Sequence, residues 1–194
     1  HIMHDKIFII DDRWTFAGTG NITGTGFDRN TNNWVLIDSE PVAADFKAEF
    51  EQMYAGRFSN AKREIKNGND YQVGDTRVEV FFSPQEDTMG KILSEVQSAH
   101  TSIHFQIFAF TKDELGSLFI NKHREFQAKN QALIDEGSLA ADYEESLSPL
   151  DWPNKIVGAL DRSQLHGNDQ YHEGYRLQAF GVPSSILRSG RGMR

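Results

Sequence analysis

His4 and Lys6 are the residues of this chain whose types and spacing best suit chemistry. They open the run His4-Asp5-Lys6-Ile7-Phe8-Ile9-Ile10-Asp11, a pattern of the form H-x-K-x4-D. The apolar stretch Ile7 to Ile10 predicts a short strand buried on both faces. Residues two apart on a strand share a face, so His4 and Lys6 project side by side. An imidazole moves a proton near neutral pH or attacks phosphorus itself. An ammonium held beside it draws in phosphoryl oxygens and offsets their charge. Together they suit attack on a phosphate ester. Asp11 is an odd number of residues from His4 and faces the other way on a regular strand, so it is given a supporting, structural place in the motif.

A His and a Lys at the mouth of a strand are commonly just a solvated strand end. By composition alone, three fixed residues in this pattern arise by chance in about one or two chains per hundred of this length. The context adds weight. A second apolar stretch (Trp14, Phe16, Ala17) leads into Gly18-Thr19-Gly20-Asn21. Glycines let a backbone approach a ligand closely, and the Asn21 amide there can donate to a phosphate oxygen. Standing alone, Asn21 is an ordinary turn residue.

These segments resemble the phospholipase D superfamily of HKD phosphodiesterases. HDKIFIIDD matches the HKD motif, and GTGN matches the Gly-Ser/Gly-x-Asn element that follows, with Thr19 where Ser is common. NTNNWVLID matches the next strand, and FKAEFEQMY the helix that closes a repeat. Some members carry an acidic residue in that strand where this chain has Asn32. Further on, VEVFFSPQEDTMGKILSEVQSAHTSIHFQIFAFT is similar to the opening of another repeat, and YHEGYRLQAFGVPSSILRSGRGMR to the approach to a second motif. No second H-x-K-x4-D occurs; His104 has Gln106 where a Lys would stand and is taken as a strand-face histidine.

The resemblance implies a fold, a chemistry and a division of the chain. The fold is α/β: a phospholipase D-like sandwich whose mixed, mostly parallel sheet is flanked by helices. Residues 1–74 correspond to the second half of one repeat and residues 75–194 to the first half of the next. The halves are expected to pack as a circularly permuted single repeat, with the Ile7–Ile10 strand beside the 102–110 strand and Arg194 near His1. In the family, one motif His forms a phosphohistidine, the other protonates the leaving oxygen, and water or an alcohol completes the transfer. Carried over, His4 is nucleophile or general acid, Lys6, Thr19 and Asn21 hold the phosphate, and Asp11 is the motif's structural member. No cofactor or metal is implied. The partner imidazole must come from a further repeat half or from a second copy of the chain. Phospholipid hydrolysis or phosphatidyl transfer is the leading activity. A nucleic-acid phosphodiesterase and a non-catalytic binding or scaffold domain are the alternatives.

The elements that must position these residues follow from periodicity. Strands are expected near 5–10, 14–18, 33–38, 77–82, 102–110 and 156–160, and helices near 41–55, 87–99 and 112–134. Ala43, Ala44, Phe46, Phe50 and Met53 form the apolar stripe of the first helix; Ile92, Leu93, Val96 and Ala99 that of the second. Alternating strands and helices argue for an α/β architecture. Residues 56–74 look like a polar linker, and 135–154 like an acidic surface loop. With 38% hydrophobic residues and 14 Phe the chain can build a core, and no apolar run approaches the length of a membrane span. The absence of Cys rules out disulfides and thiolate metal sites. A net charge of -8 argues mildly against a general nucleic-acid groove, although residues 176–194 carry Arg176, Arg188, Arg191 and Arg194 and no acid.

Overall fold

The computed structural model describes residues 2–65, 69–167 and 172–187. The protein is α/β and divides between Gly90 and Lys91 into two compact units.

In the first unit, β1 (Ile7–Ile10), β2 (Trp14–Gly18) and β3 (Trp34–Asp38) form an antiparallel sheet in that order. The five-residue helix α1 (Gly24–Asp28) lies between β2 and β3 in the chain, and α2 (Glu40–Tyr54) follows β3. Ser39 caps α2 by accepting the Val42 N–H, and Pro41 stands in the first turn, where its missing N–H costs nothing. After a 3-10 turn at Ser59–Ala61 comes the hairpin of β4 (Asp70–Val73) and β5 (Thr76–Glu79). That hairpin spans the junction expected at 74/75, which falls in its Gly74 turn, so the compact unit extends to Gly90.

Two expectations for β1 are corrected. Its hydrogen-bonded neighbour is β2, not the strand near 102–110, which lies in a separate sheet. The sheet is also antiparallel rather than mostly parallel, and so is not buried on both faces. Helix α2 packs on β1 and β2, and the fully buried Thr15 marks the covered face. On the other face Phe8 and Ile10 remain 45% and 50% exposed. An antiparallel sheet can leave one face open in this way, whereas a parallel one is covered on both. The expected meeting of His1 and Arg194 lies outside the described residues.

Helix α2 turns only part of its expected apolar stripe inward: Ala43 is fully buried and Phe46 packs on the core. Ala44 and Phe50 are exposed, while Val42, Ala43, Asp45, Glu49 and Gln52 are buried. Each polar residue enters with a partner, as burial requires. Asp45 accepts the Tyr71 hydroxyl, whose pKa is raised mainly by burial and then by that bond. Glu49 pairs with the Lys62 ammonium and accepts from Gln85. Gln52 makes a two-way amide contact with the Arg63 backbone.

The second unit holds the parallel sheet, with β6 (Ser102–Ile107), β7 (Lys155–Asp161) and β8 (Ser184–Leu187) in that order. Helix α3 (Thr88–Ser98) leads into β6, and its first turn contains the division between the units. The 23-residue α4 (Asp113–Asp135) and the shorter α5 (Tyr143–Ser146) connect β6 to β7; α6 (Arg162–Gly167) and α7 (Glu173–Ala179) connect β7 to β8. Phe105, Phe110, Phe119, Phe126, Ile156, Leu160 and Leu177 form the core, with Leu93, Val96 and Ala99 of the α3 segment against it. Gly158 is required there: a Cβ would lie 2.0 Å from the Phe105 ring across the strand pair. His104 projects from β6 as an exposed strand-face residue. Of the expected basic tail only Arg176 is described; Arg188, Arg191 and Arg194 lie outside the described residues.

The 135–154 segment is tied down rather than loose. The buried Asn130 amide on α4 donates to the Asn154 carbonyl at 2.9 Å and accepts the Asn154 N–H at 3.0 Å. It also donates to the Tyr143 hydroxyl, and Tyr143 packs edge-on against buried Trp152 at 5.4 Å. Asn130→Ala should cost about 2–3 kcal/mol by orphaning these backbone and side-chain groups. Limited proteolysis should then cut the variant between residues 136 and 151 well before the wild type; equal cutting rates would show that Asn130 does not hold the segment.

His123 is buried, its Nε2 without a hydrogen-bond partner among the described residues, and burial lowers its pKa, with Glu144 opposing. The unfolded chain therefore takes up the proton first as pH falls below the ordinary value of 6.5. Stability that His123 confers at neutral pH is lost as pH drops from there toward its folded pKa. Urea unfolding followed between pH 7 and 5 should fall less steeply for His123→Leu than for the wild type, and parallel curves would contradict this assignment.

Candidate active site

Antiparallel pairing brings the start of β1, the end of β2 and the start of β3 to one end of the sheet. His4 and Lys6 enter there, and Gly18-Thr19-Gly20-Asn21 leaves there. The Gly18 N–H donates to the Lys6 carbonyl at 3.2 Å, which extends the β1–β2 pairing by one residue toward His4. Lys6 bends back so that Nζ donates to the His4 carbonyl at 2.5 Å. The contact ties the ammonium to the backbone that carries the imidazole. His4 is exposed and Lys6 half-buried. Lys6 makes no ion pair among the described residues. At the far end of the same sheet the cations are neutralised. Arg13 grips Asp38 through both oxygens, and Lys47 reaches Asp12 at 2.9 Å. Asp38 is held below the usual carboxylate range, chiefly by the Arg13 hydrogen bond.

Asp11 is not brought to His4 and Lys6. It sits with Asp12 and Arg13 in the three-residue β1–β2 connection, Asp11 and Asp12 at φ 54° and 53°, closed by the Arg13 N–H on the Ile10 carbonyl at 3.1 Å. Such a turn needs left-handed backbone at both positions, which Asp tolerates better than most residues. About 13 Å of strand separates Lys6 from Ile10, and Asp11 lies beyond it. Its place is to turn the hairpin that sets the strand register.

Thr19 and Asn21 follow β2 directly. The Thr19 hydroxyl donates to Asn32 Oδ1 at 3.0 Å and accepts the Asn33 N–H at 3.1 Å, while the Thr19 N–H bonds the Asn33 carbonyl. The other end of the Asn32 amide donates to the Gly26 carbonyl at 2.9 Å. Thr19 therefore spends its hydroxyl on closing the loop. The exposed Asn21 side chain makes no hydrogen bond among the described residues, while its carbonyl accepts the Thr23 N–H. Thr23 caps α1 by accepting the Gly26 N–H at 3.0 Å.

Asn32, noted in the sequence only as standing where some members of the resembled family carry an acid, fixes the loop through both ends of its amide. Trp34 escaped the sequence reading. Trp34 pairs with Gly18 across β2 and β3, and its indole lies over that glycine: a Cβ at Gly18 would come within 2.5 Å of the ring. No group of His, Asp and Glu able to hold a metal occurs among the described residues.

Residues 1–54, the part of the chain that carries this geometry, match a family model described as the PLD-like domain of cardiolipin synthase. Through them the chain is related to the phospholipase D superfamily. No curated protein and no solved structure matches the chain. No helix among the described residues is long and apolar enough to cross a membrane.

The loop geometry generates a test. Thr19→Val and Asn32→Ala each remove one side of the same hydrogen bond, so their effects on unfolding free energy should couple by about 0.5–1.5 kcal/mol in a double-mutant cycle. Additive effects would mean that the Thr19–Asn32 bond does not organise the loop.

Proposed function

We propose that His4 and Lys6 form one half of the reaction centre of a phospholipase D-type phosphodiesterase. The observation that carries this reading is a cation, Lys6, that has no carboxylate partner among the described residues and is tied to the backbone of an exposed imidazole, beside a glycine loop that ends in the Asn21 amide, likewise without a partner among them. Lys6 attracts the phosphate and offsets charge on its oxygens as the transition state forms. Asn21 donates to a non-bridging oxygen. Thr19, called here as a phosphate contact, acts by shaping the loop through Asn32, and Asp11 acts by turning the hairpin.

In the first step the His4 imidazole attacks phosphorus. A P–N bond forms, the P–O bond to the leaving group breaks, and the leaving oxygen takes a proton from a second imidazole. In the second step that imidazole takes a proton from water or an alcohol, whose oxygen displaces His4 from phosphorus. With the roles of the two imidazoles exchanged, His4 is the general acid instead. The second imidazole comes from another repeat half or from a second copy of the chain. A phospholipid is the substrate this reading favours, for hydrolysis or phosphatidyl transfer. The net charge of -8 counts against a nucleic-acid phosphodiester, which is the second reading.

His4→Ala and His4→Asn should abolish cleavage of a phosphodiester while circular dichroism stays unchanged. Lys6→Ala should lower kcat/KM by at least about 10²–10³-fold. Chelators should leave the rate within about twofold, because imidazole is the group that attacks. Near-normal turnover by either variant would remove His4 and Lys6 from the chemistry. Binding of phosphodiesters without turnover even when the second imidazole is supplied, by a further repeat half or a second copy, would instead make this a binding or scaffold domain.

A further inference from the structure

We infer that the main-chain N–H of Gly20 donates to the phosphate, and that the Asn32 amide is the positioning residue that holds it there. This rests on the phosphodiesterase reading and adds a backbone donor to that site. On paired antiparallel strands, alternate residues turn their N–H groups toward the same neighbour. Gly18 donates to the Lys6 carbonyl on the β1 side, and Thr19 to the Asn33 carbonyl on the other side. The next donor toward β1 is Gly20. Continued past Lys6 and Gly18, the register sets Gly20 opposite His4, whose carbonyl would be its acceptor. That bond is not made; the His4 carbonyl accepts Lys6 Nζ instead. Gly20 is buried, and its N–H has no partner among the described residues. Buried main-chain donors are nearly always bonded, since an unpaired one loses its hydration without return. A phosphoryl oxygen drawn in by Lys6 supplies the acceptor and takes a charge-assisted bond.

Asn32 holds the glycine in this place. A Cβ on Gly20 would lie 2.9 Å from Asn32 Nδ2 and 3.1 Å from its Cγ, so the amide rests directly on the Gly20 backbone. Both ends of that amide are engaged. Oδ1 accepts the Thr19 hydroxyl at 3.0 Å, and Nδ2 donates to the Gly26 carbonyl at 2.9 Å. From the other side α1 comes so close that a Cβ on Gly26 would lie 2.1 Å from the Asn21 carbonyl oxygen. The loop is thus pinned on either side of its one unpaired buried donor. The residue type matters. A carboxylate at position 32 would keep the Thr19 bond but set a charged oxygen, with no proton to give, against the Gly26 carbonyl. It would also bring a negative charge to the place where the anion binds.

Amide-to-ester exchange tests the donor directly. The chain has no Cys, so a synthetic 1–54 segment can be ligated to residues 55–194 through a Cys at position 55 that desulfurisation returns to the native Ala55. Glycolic acid in place of Gly20 then removes that N–H alone. Because the N–H bonds nothing in the protein, the thermal unfolding temperature should not change. Affinity for dimethyl phosphate, read by isothermal titration of the full chain, should fall about tenfold or more. Asn32→Asp should weaken dimethyl phosphate by a similar factor. In 1H–15N spectra it should also abolish the downfield shift that the ligand gives the Gly20 amide proton in the wild type. Undiminished affinity of the ester protein would overturn the Gly20 donor and leave Lys6 and Asn21 standing. So would a lowered unfolding temperature, which would mark the N–H as bonded within the chain. An Asn32→Asp protein that keeps both the affinity and the Gly20 shift would overturn the positioning role. A wild type that does not bind dimethyl phosphate, or whose binding survives Lys6→Ala, would remove the phosphate site and its backbone donor together.

Discussion

The register of β1 against β2 is the constraint on which the rest of the site depends. The Gly18 N–H bonded to the Lys6 carbonyl, together with the Ile7–Ala17 and Phe8–Phe16 pairings, fixes which side chains face the open side. A slip of one residue would send Lys6 to the face that α2 covers and bring Ile7 and Ile9 out to solvent. The Asp11–Arg13 turn sets that register from the other end, because its length and left-handed backbone at Asp11 and Asp12 fix the Ile10–Trp14 pairing beside it. Asp11 thus serves the site from a distance.

The two faces of this sheet are stabilised by different means. The covered face uses polar partners as much as apolar packing: α2 presents Asp45, Glu49 and Gln52 inward, and Tyr71, Lys62 and the Arg63 backbone meet them. Removing one member of such a buried set strands the other, so the arrangement specifies how α2 and the 62–86 segment fit together more than it adds net stability. The open face has no such partners. Its rings pack on one another along the row, which keeps Trp34 upright beside Lys6 and leaves the aliphatic edge of the row outward.

Much of this was legible in the residues. Alternation and apolar runs located β1, β2, β3, α2, α3 and α4 to within a few residues, and the H-x-K spacing with the following glycine turn located the site. Three things were not legible, each for a physical reason. Four consecutive apolar residues do not distinguish a strand buried on both sides from one with an open face, so β1 was assigned to a parallel sheet. The inward face of α2 was only partly legible from hydrophobicity, because Asp45, Glu49 and Gln52 share it with Val42 and Ala43, and the partners of those polar residues lie 11 to 36 residues away in the chain. Asn32 and Trp34 act through contacts with Thr19 and Gly18 that exist only once β2 and β3 are paired. The short elements α1, β4, α5, α6, α7 and β8 were missed or merged into loops because they are too brief to show a period.

The central claim is that His4, Lys6 and the Gly18–Asn21 loop form a single anion-binding centre. A 1H–15N NMR titration with a dialkyl phosphate tests it most directly, because it reports position without requiring turnover. The account predicts saturable shifts concentrated in the backbone amides of Thr19, Gly20 and Asn21, the Asn21 side-chain amide and the His4 ring nitrogens, with the Asp11–Arg13 turn unmoved. Shifts that miss these residues, or that centre on the Arg13–Asp38 end of the sheet, would contradict it.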